Sequence, residues 1–154
     1  LLMNLYSYEE KVQNNTLAEC EPTQGEVEDM YVLWLLENNT DTTYEEIYNA
    51  LWMVESSRSL DPKDGDNGNA IGHYQIWETY WKDAVEFSDL EGTYQDCRTK
   101  EYAEAVIAEY MKRYCNEAWE TGDWQTVSRI HNGGPRGATK KNTEKYWLKV
   151  QQQL

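Results

Sequence analysis

Residues 129–135 read Arg-Ile-His-Asn-Gly-Gly-Pro, a helix end followed by a glycine turn, and they decide the fold together with two segments upstream. Residues 54–57 read Val-Glu-Ser-Ser and close an apolar helical pattern. Residues 72–76 read Gly-His-Tyr-Gln-Ile and follow a turn-rich loop. Each piece is short and common by itself. Their order and spacing predict that a helix end, a strand edge and a turn meet around one cleft, with Glu55 as its acid.

Apolar periodicity along the chain predicts a mainly helical α+β fold with one small β element. Residues 43–46 read Thr-Tyr-Glu-Glu, a capping-box pattern that starts the helix ending near Glu55. Residues 61–72 are rich in Gly, Asp and Asn, which predicts a short, irregular hairpin there. Further helices are predicted over residues 26–37, 77–89, 99–118 and 139–152, and as a short helix capped by Asp123.

Size and charge limit the classes of function. The chain has 154 residues, 40% of them hydrophobic, which suits a globular domain with a sizeable core. Its formal net charge is −14, and residues 1–60 alone hold 12 acidic and 2 basic residues. This acidity argues against nucleic acid as a partner and against simple electrostatic adhesion to anionic bacterial walls. No apolar run approaches the roughly 20 residues that span a bilayer, so no membrane span is expected.

The cysteines are few. Cys20, Cys97 and Cys115 form neither a Cys-x-x-Cys pair nor a Cys/His cluster, so neither a structural zinc site nor any other metal site is predicted. If the protein is secreted, Cys97 and Cys115 are the favoured disulfide pair, since both flank one predicted helix. The sequence alone leaves the other pairings open.

Glu55 is the candidate acid. Cleavage of a glycosidic bond needs an acid that is still protonated near neutral pH and gives its proton to the leaving oxygen. Residues 51–54 read Leu-Trp-Met-Val, so burial of this helix would surround the carboxyl with apolar groups and raise its pKa. The negative end of the helix dipole acts in the same direction. The alternative is an ordinary exposed glutamate at a helix end.

A second carboxylate would stabilise the positive transition state, attack the sugar or activate water. Asp66 is the favoured candidate and Asp64 the reserve, because the glycine-rich loop that carries both can fold back toward Glu55. Aspartates in such loops also serve simply to make turns.

The predicted substrate-binding residues follow the acid or belong to the strand edge and the glycine turn: Ser56, Tyr74, Gln75, His131, Asn132 and Gly133. On the strand edge, Tyr74 and Gln75 are expected to contact a sugar. The stretch from His131 is expected to form a wall that hydrogen-bonds N-acetyl groups, and its local alternative is a helix stop in a left-handed turn.

A wider set of motifs carries a family resemblance. It includes Glu55-Ser56, the Asp-Gly loop, Gly72-x-x-Gln75-Ile76, residues 80–83 (Tyr-Trp-Lys-Asp), residues 110–114 (Tyr-Met-Lys-Arg-Tyr), residues 129–137 and Tyr146-Trp147. In this order they resemble invertebrate-type (destabilase-like) lysozymes over residues 50–150. The pieces around Glu55-Ser56 and Gln75-Ile76 are shared more loosely with goose-type lysozymes and lytic transglycosylases.

The resemblance implies a lysozyme-like fold and a secreted enzyme that hydrolyses the β-1,4 link between N-acetylmuramic acid and N-acetylglucosamine. It assigns the acid to Glu55 and the second carboxylate to the stretch from Asp64 to Asp66, and it implies no cofactor. Residues 41–154 are expected to form the lysozyme-like domain. Residues 1–40 lie outside the resemblance and are expected to form an arm and an extra helix.

Two alternatives remain open. Family members are rich in disulfides, whereas this chain has only three cysteines. The chain is also strongly acidic. These departures motivate the alternative of a non-catalytic relative, a structural or glycan-binding subunit of an extracellular or viral assembly with a protein partner at the acidic N-terminal region. The presence of Glu55 and the intact turn from His131 to Gly137 argue against it. The other alternative is a lytic transglycosylase, in which Glu55 acts alone and an anhydro product forms. Activity on chitin-like N-acetylglucosamine polymers is a variant of the hydrolase.

Overall fold

The computed structural model of the chain describes residues 42–154, which belong to one compact unit. Its helices and strands are α1 (Tyr44–Ser56), β1 (Ala70–Ile71), β2 (Ile76–Trp77), α2 (Glu78–Phe87), α3 (Lys100–Thr121), α4 (Trp124–Gly133) and α5 (Glu144–Gln151). Short 3-10 segments lie at Asp66–Gly68, Tyr94–Arg98, Gly137–Thr139 and Lys141–Thr143. The predicted mainly helical α+β architecture is confirmed. The predicted arm and the helix over residues 26–37 lie outside the described residues.

Helix α1 begins where its capping box predicts. The Thr43 hydroxyl accepts a hydrogen bond from the Glu46 amide at 3.3 Å, and the Glu46 carboxylate accepts one from the Thr43 amide at 2.7 Å. These reciprocal bonds satisfy amides that the helix itself leaves unpaired. The helix ends at Ser56, and the capping residue Ser57 adopts a left-handed conformation with φ 54°. Glu55 therefore lies in the last turn of α1, as predicted.

The two strands form an antiparallel hairpin in which Ala70 pairs with Trp77 and Ile71 pairs with Ile76. The predicted position within residues 61–72 was partly wrong, because the second strand lies at residues 76–77. The reason is apolar burial: Ile71 and Ile76 are 2% and 1% exposed. The Asp- and Asn-rich residues before them instead form a tight loop, closed by a β-bridge between Gly65 and Ala70.

Helix α3 is central and packs against α2 and α4, while α5 packs against α1 and α4. The fully buried side chains at its centre include Ile47, Leu51, Val106, Ile107, Met111, Val127 and Val150. Helix α5 is shorter than the predicted helix over residues 139–152. Residues 137–143 form 3-10 turns instead, and the buried Thr143 hydroxyl donates to the Gly137 carbonyl oxygen at 2.7 Å. Within residues 42–154, no helix is both long and apolar enough to cross a bilayer.

The favoured disulfide between Cys97 and Cys115 is not formed, since both are free cysteines. Cys97 is fully buried just before α3, whereas Cys115 lies within α3. The fifteen or so helical residues between them rise about 22 Å, far beyond the roughly 7 Å between Cα atoms that a disulfide spans. The Cys115 thiol instead points at the Met111 sulfur, 3.4 Å away.

Candidate active site

A cleft of about 470 Å³ brings together α1, the hairpin, α2 and α4. Its walls are formed by Glu55, Asp66, Ala70, Gln75, Ile76, Trp77, Tyr80, His131 and Asn132. The cleft therefore contains residues of all three segments that the sequence analysis singled out, although they are up to 77 positions apart in the chain (132 − 55). Among residues 42–154, no group of three or more His, Cys, Asp or Glu side chains could hold a metal ion.

Glu55 is a largely buried carboxyl group in the wall of this cleft. Its side chain is 19% exposed, and burial raises its pKa from the usual 4.5 to about 7. A hydrogen bond from Tyr146 and the positive charge of Lys149 both act in the opposite direction, but burial dominates. About half of the Glu55 carboxyl groups therefore carry a proton at pH 7. This is the property that a general acid needs.

Tyr146 on α5 orients the Glu55 carboxyl. Its hydroxyl donates to Glu55 Oε1 at 2.6 Å, and its ring is 9% exposed. Because Oε1 accepts this hydrogen bond, Oε2 is the oxygen left free to carry the proton in the neutral form. The sequence analysis gave Tyr146 no role of its own. No local signal pairs the two residues, since they are 91 positions apart.

His131 lies beside the acid as a neutral ring. Its side chain is 3% exposed, and Nε2 is 3.8 Å from Glu55 Oε1. Burial lowers the pKa of His131 from 6.5 to about 4. The Tyr80 hydroxyl lies 3.2 Å from Nδ1 and donates to it when Nε2 carries the ring proton. Between pH 4 and 7, His131 and Glu55 are therefore both mainly neutral, and they form a packed polar pair, not an ion pair.

Replacing Tyr146 with Phe is expected to raise the pKa of Glu55 further above 7, because the lost hydrogen bond is one that lowers it. The fall of kcat/KM at high pH should then occur at a higher pH. The value of kcat/KM should also decrease about tenfold, because the carboxyl loses its orientation. The pH dependence of kcat/KM measures both effects. Tyr48→Phe is the matched control: it removes a hydroxyl that donates to the Glu104 carbonyl oxygen and should leave the profile unchanged. An unshifted Tyr146→Phe profile would contradict this role.

Of the two candidate carboxylates, the structure places Asp66 on the cleft and Asp64 elsewhere. Asp64 accepts two hydrogen bonds from the Arg98 guanidinium, at 2.6 and 2.7 Å, and these hold its pKa below the usual value. Asp66 lies in the loop closed between Gly65 and Ala70, with its backbone in the left-handed region at φ 51°. Its carbonyl oxygen accepts from the Asn69 side chain at 2.8 Å, which helps to fix the loop.

Three of the predicted substrate-binding residues line the cleft: Gln75, Asn132 and His131. Asn132 is exposed there, at the end of α4. The Gln75 amide donates to the Gly72 and Lys63 carbonyl oxygens, at 2.9 and 3.2 Å, so it also holds the loop in place. His131 is buried within this wall, and its ring nitrogen Nε2 lies next to Glu55.

The other three, Ser56, Tyr74 and Gly133, are absent from the cleft walls. Tyr74 is 1% exposed, because its ring belongs to the hydrophobic core and its hydroxyl donates to Glu104 at 2.5 Å. The Ser56 hydroxyl donates to the His73 carbonyl oxygen at 2.8 Å, which ties α1 to the hairpin. Gly133 packs against Thr143, which leaves no room for a side chain. The structure therefore does not bring these three predicted residues to the surface of the cleft.

Comparison with known proteins identifies relatives of the chain. The Destabilase family model matches residues 49–153. A lysozyme of Magallana gigas is 38% identical over 86 residues, which cover 54% of this chain and 60% of that protein. A lysozyme of Meretrix lusoria is 35% identical over 100 residues, which cover 64% and 80% of the two chains. The match to Lysozyme 1 of Crassostrea virginica covers 46% of that protein, so the chain spans about half the length of some of its curated relatives.

Solved structures show the same relationship. The Meretrix lusoria lysozyme, crystallised in complex with Aeromonas hydrophila PliI, superposes with a TM-score of 0.59 at 29% sequence identity. The superposition covers 70% of this chain and 87% of the other. The Tapes japonica lysozyme superposes with a TM-score of 0.57 at 26% identity, over 69% and 86% of the two chains. The predicted lysozyme-like fold is thus confirmed, and, since the family model matches most of its length, the chain belongs to the Destabilase family of invertebrate-type lysozymes.

Proposed function

We propose that the protein is a muramidase that hydrolyses the β-1,4 link between N-acetylmuramic acid and N-acetylglucosamine in peptidoglycan, with Glu55 as its general acid. The observation that supports this most is the carboxyl group of Glu55, which lies in the cleft with a pKa of about 7. Membership of the Destabilase family and the lysozyme names of its relatives support the same substrate class.

In the first step, Glu55 donates the proton on Oε2 to the glycosidic oxygen as the C–O bond breaks. The leaving sugar departs as a neutral alcohol, and positive charge develops on the ring of the other sugar. Glu55 becomes a carboxylate at this point. Tyr146 is already placed to donate to Oε1, so its hydrogen bond strengthens as negative charge appears. The neutral His131 adds no competing positive charge that would lower the pKa of the acid beforehand.

The second carboxylate in this proposal is Asp66. Its position on the same cleft as Glu55 allows it to stabilise the oxocarbenium-like sugar or to attack it, and water completes the hydrolysis. The tight loop from Gly65 to Ala70 fixes its backbone, so little ordering is needed when substrate binds. Asp64 is unsuited to the role because both of its carboxylate oxygens accept hydrogen bonds from Arg98.

Replacing Asp66 with Asn is expected to lower kcat by about 100-fold, because the developing positive charge loses its carboxylate. Steady-state kinetics on a soluble peptidoglycan fragment measure the effect. Asp64→Asn is the matched control. It removes a carboxylate of the same loop, and this carboxylate is bound to Arg98 outside the cleft. We expect its kcat within about twofold of the wild type. A larger loss in Asp64→Asn than in Asp66→Asn would assign the role to Asp64.

The test of the proposed function is digestion of purified peptidoglycan, with analysis of the ends of the glycan fragments. Ordinary reducing ends at N-acetylmuramic acid are expected for a muramidase. Reducing ends at N-acetylglucosamine would show that the other glycosidic link is cut. Anhydro ends would make the protein a lytic transglycosylase. A folded protein that releases no fragments from peptidoglycan or chitin would contradict the enzyme proposal and favour a structural or glycan-binding role.

We also propose that the protein acts outside the cell, where peptidoglycan of other organisms is encountered. The family resemblance and the two N-glycosylation sequons at Asn14 and Asn38 support this. Detection of the protein in the medium around the cells that make it, compared with the cell lysate, tests the location, and a protein found only in the lysate would contradict it.

A further inference from the structure

Trp77 is an exposed aromatic residue on the wall of the cleft. Its side chain is 45% exposed, and it shares the cleft with Glu55 and Asp66. The backbone of Trp77 is fixed on both sides, because it pairs with Ala70 in the hairpin and immediately precedes α2. The ring is therefore presented to the cleft from a rigid support.

The other tryptophans in the described part of the chain are used differently. All five belong to the core or pack against it: Trp52, Trp81, Trp119, Trp124 and Trp147. Three of them, Trp52, Trp81 and Trp124, also donate their indole N–H to a protein oxygen. Trp77 is not part of this core cluster, and none of the described residues accepts its indole N–H. The fold therefore gains little from placing a tryptophan at this position.

An exposed tryptophan beside a catalytic acid has a specific chemical use. The indole ring offers a large, flat, electron-rich face and one N–H donor. A β-1,4-linked pyranose has equatorial substituents, so its faces present C–H groups that pack flat against such a ring. Sites for small ligands typically combine apolar walls of this kind with a few polar groups that fix orientation. Here Asn132 and Gln75 provide polar atoms on the same cleft.

We propose that Trp77 is a stacking platform for one N-acetylglucosamine ring of the glycan chain, and that it contributes to substrate affinity. This inference rests on the proposed function and specifies which part of the polymer this wall of the cleft recognises. The occupant is the sugar ring and not the peptide stem, because a flat aromatic face matches the C–H face of the ring. A charged peptide would require charged partners here, and the only charged groups among the cleft walls are the carboxyls Glu55 and Asp66.

The test separates binding from turnover. A hexasaccharide of β-1,4-linked N-acetylglucosamine is titrated into Glu55→Gln protein by calorimetry, with and without Trp77→Ala. We expect Trp77→Ala to weaken binding about tenfold and Trp77→Phe, which keeps a flat ring, to weaken it no more than about threefold. In proteins that retain Glu55, Trp77→Ala should raise KM with little change in kcat. Binding should also change the tryptophan fluorescence of the protein, and Trp77→Ala should reduce this change.

Phe87→Ala is the matched control. Phe87 is 51% exposed and is the last residue of α2, about 15 Å from Trp77 along the helix axis. It is not part of the cleft wall. Its replacement should leave affinity, KM and the fluorescence change unaltered. Equal affinity of the Trp77→Ala and Trp77-containing proteins would overturn the platform while leaving the proposed hydrolase intact. No binding by the Trp77-containing protein, together with no turnover by the wild type, would overturn both.

Discussion

Glu55→Gln is expected to lower kcat on peptidoglycan about 1000-fold, within the range of 100- to 10,000-fold that general acid catalysis contributes. Gln has nearly the same shape as Glu and can still accept the hydrogen bond from Tyr146. The variant should therefore bind substrate and keep its fold, and lose only the proton that leaves with the glycosidic oxygen. Initial rates of reducing-end release, measured with wild type and variant at the same pH, provide the comparison.

The same substitution is expected to make the folded protein more stable at neutral and higher pH. The folded protein holds its Glu55 proton up to a pKa of about 7, whereas the unfolded chain releases it near 4.5. The stabilisation that comes with the raised pKa is complete below pH 4.5 and is lost as the pH rises through 7. Glu55→Gln has no such loss. The free energy of unfolding of the variant, relative to that of the wild type, should therefore rise by about 3 kcal/mol between pH 4 and pH 8. Urea denaturation of both proteins at the two pH values measures this difference.

These two results together distinguish an acid from a structural residue. A variant that retained more than a tenth of wild-type kcat would show that another group supplies the proton. A variant that was inactive and also less stable at pH 8 would indicate that Glu55 is needed for folding. Asp64→Asn serves as the control for the activity measurement, because its carboxylate lies outside the cleft.

Gly72→Ala is expected to lower the free energy of unfolding by about 3–5 kcal/mol, a large part of the stability of an ordinary domain. Gly72 is buried and has φ 72°, a conformation that residues with a Cβ rarely adopt. A Cβ at this position would also press against the carbonyl oxygen of Cys97 and the Cα of Arg98, both of which are backbone atoms. Neither atom can move without displacing the segment before α3.

Gly68→Ala separates the two contributions to this loss. Gly68 has φ 91°, but an added Cβ would meet no heavy atom within 4 Å. The strain of the left-handed backbone alone should therefore lower its stability by only about 1–2 kcal/mol. Urea denaturation of both variants gives the comparison. Equal losses would show that backbone conformation, and not the contact with Cys97, decides the cost at Gly72.

Features encoded by neighbouring residues were predictable from the sequence. The capping box of Thr43 and Glu46 marks the start of α1, and Asp123 caps α4 by accepting from the Thr126 amide at 3.1 Å. Both depend on contacts between residues three positions apart, so the pattern can be recognised in a single sequence. The position of Glu55 in the last turn of α1 follows directly from such a start and from the apolar spacing after it.

The hairpin shows where this reasoning failed. Tyr74 and Gln75 were both predicted to contact a sugar, whereas only Gln75 lines the cleft and Tyr74 is 1% exposed in the core. Tyr74 lies in the turn between β1 and β2, where strand alternation does not decide which side chain faces the cleft. A tertiary contact holds Tyr74 in the core, since its hydroxyl donates to Glu104, which is 30 positions away in sequence.

The residues that surround Glu55 and set its pKa could not be predicted from any local sequence pattern. The pKa of Glu55 depends on its burial and on Tyr146, which is 91 positions away in sequence. The buried, neutral state of His131 likewise depends on packing between α2, α4 and α5. Such partners are brought together by the tertiary fold, so the sequence proposes Glu55 as the acid by its motif and not by the contacts that set its pKa.

The central claim is that Glu55 is held as a proton donor near neutral pH by its burial in the cleft. The most direct measurement is a ¹³C NMR titration of the glutamate side-chain carboxyl groups in the wild type, with Glu55 assigned by the signal that is missing in Glu55→Gln. We predict a single carboxyl signal that titrates with a midpoint near pH 7, well above the other glutamates. A Glu55 midpoint near the usual 4.5 would contradict the claim and would remove Glu55 as the acid at neutral pH.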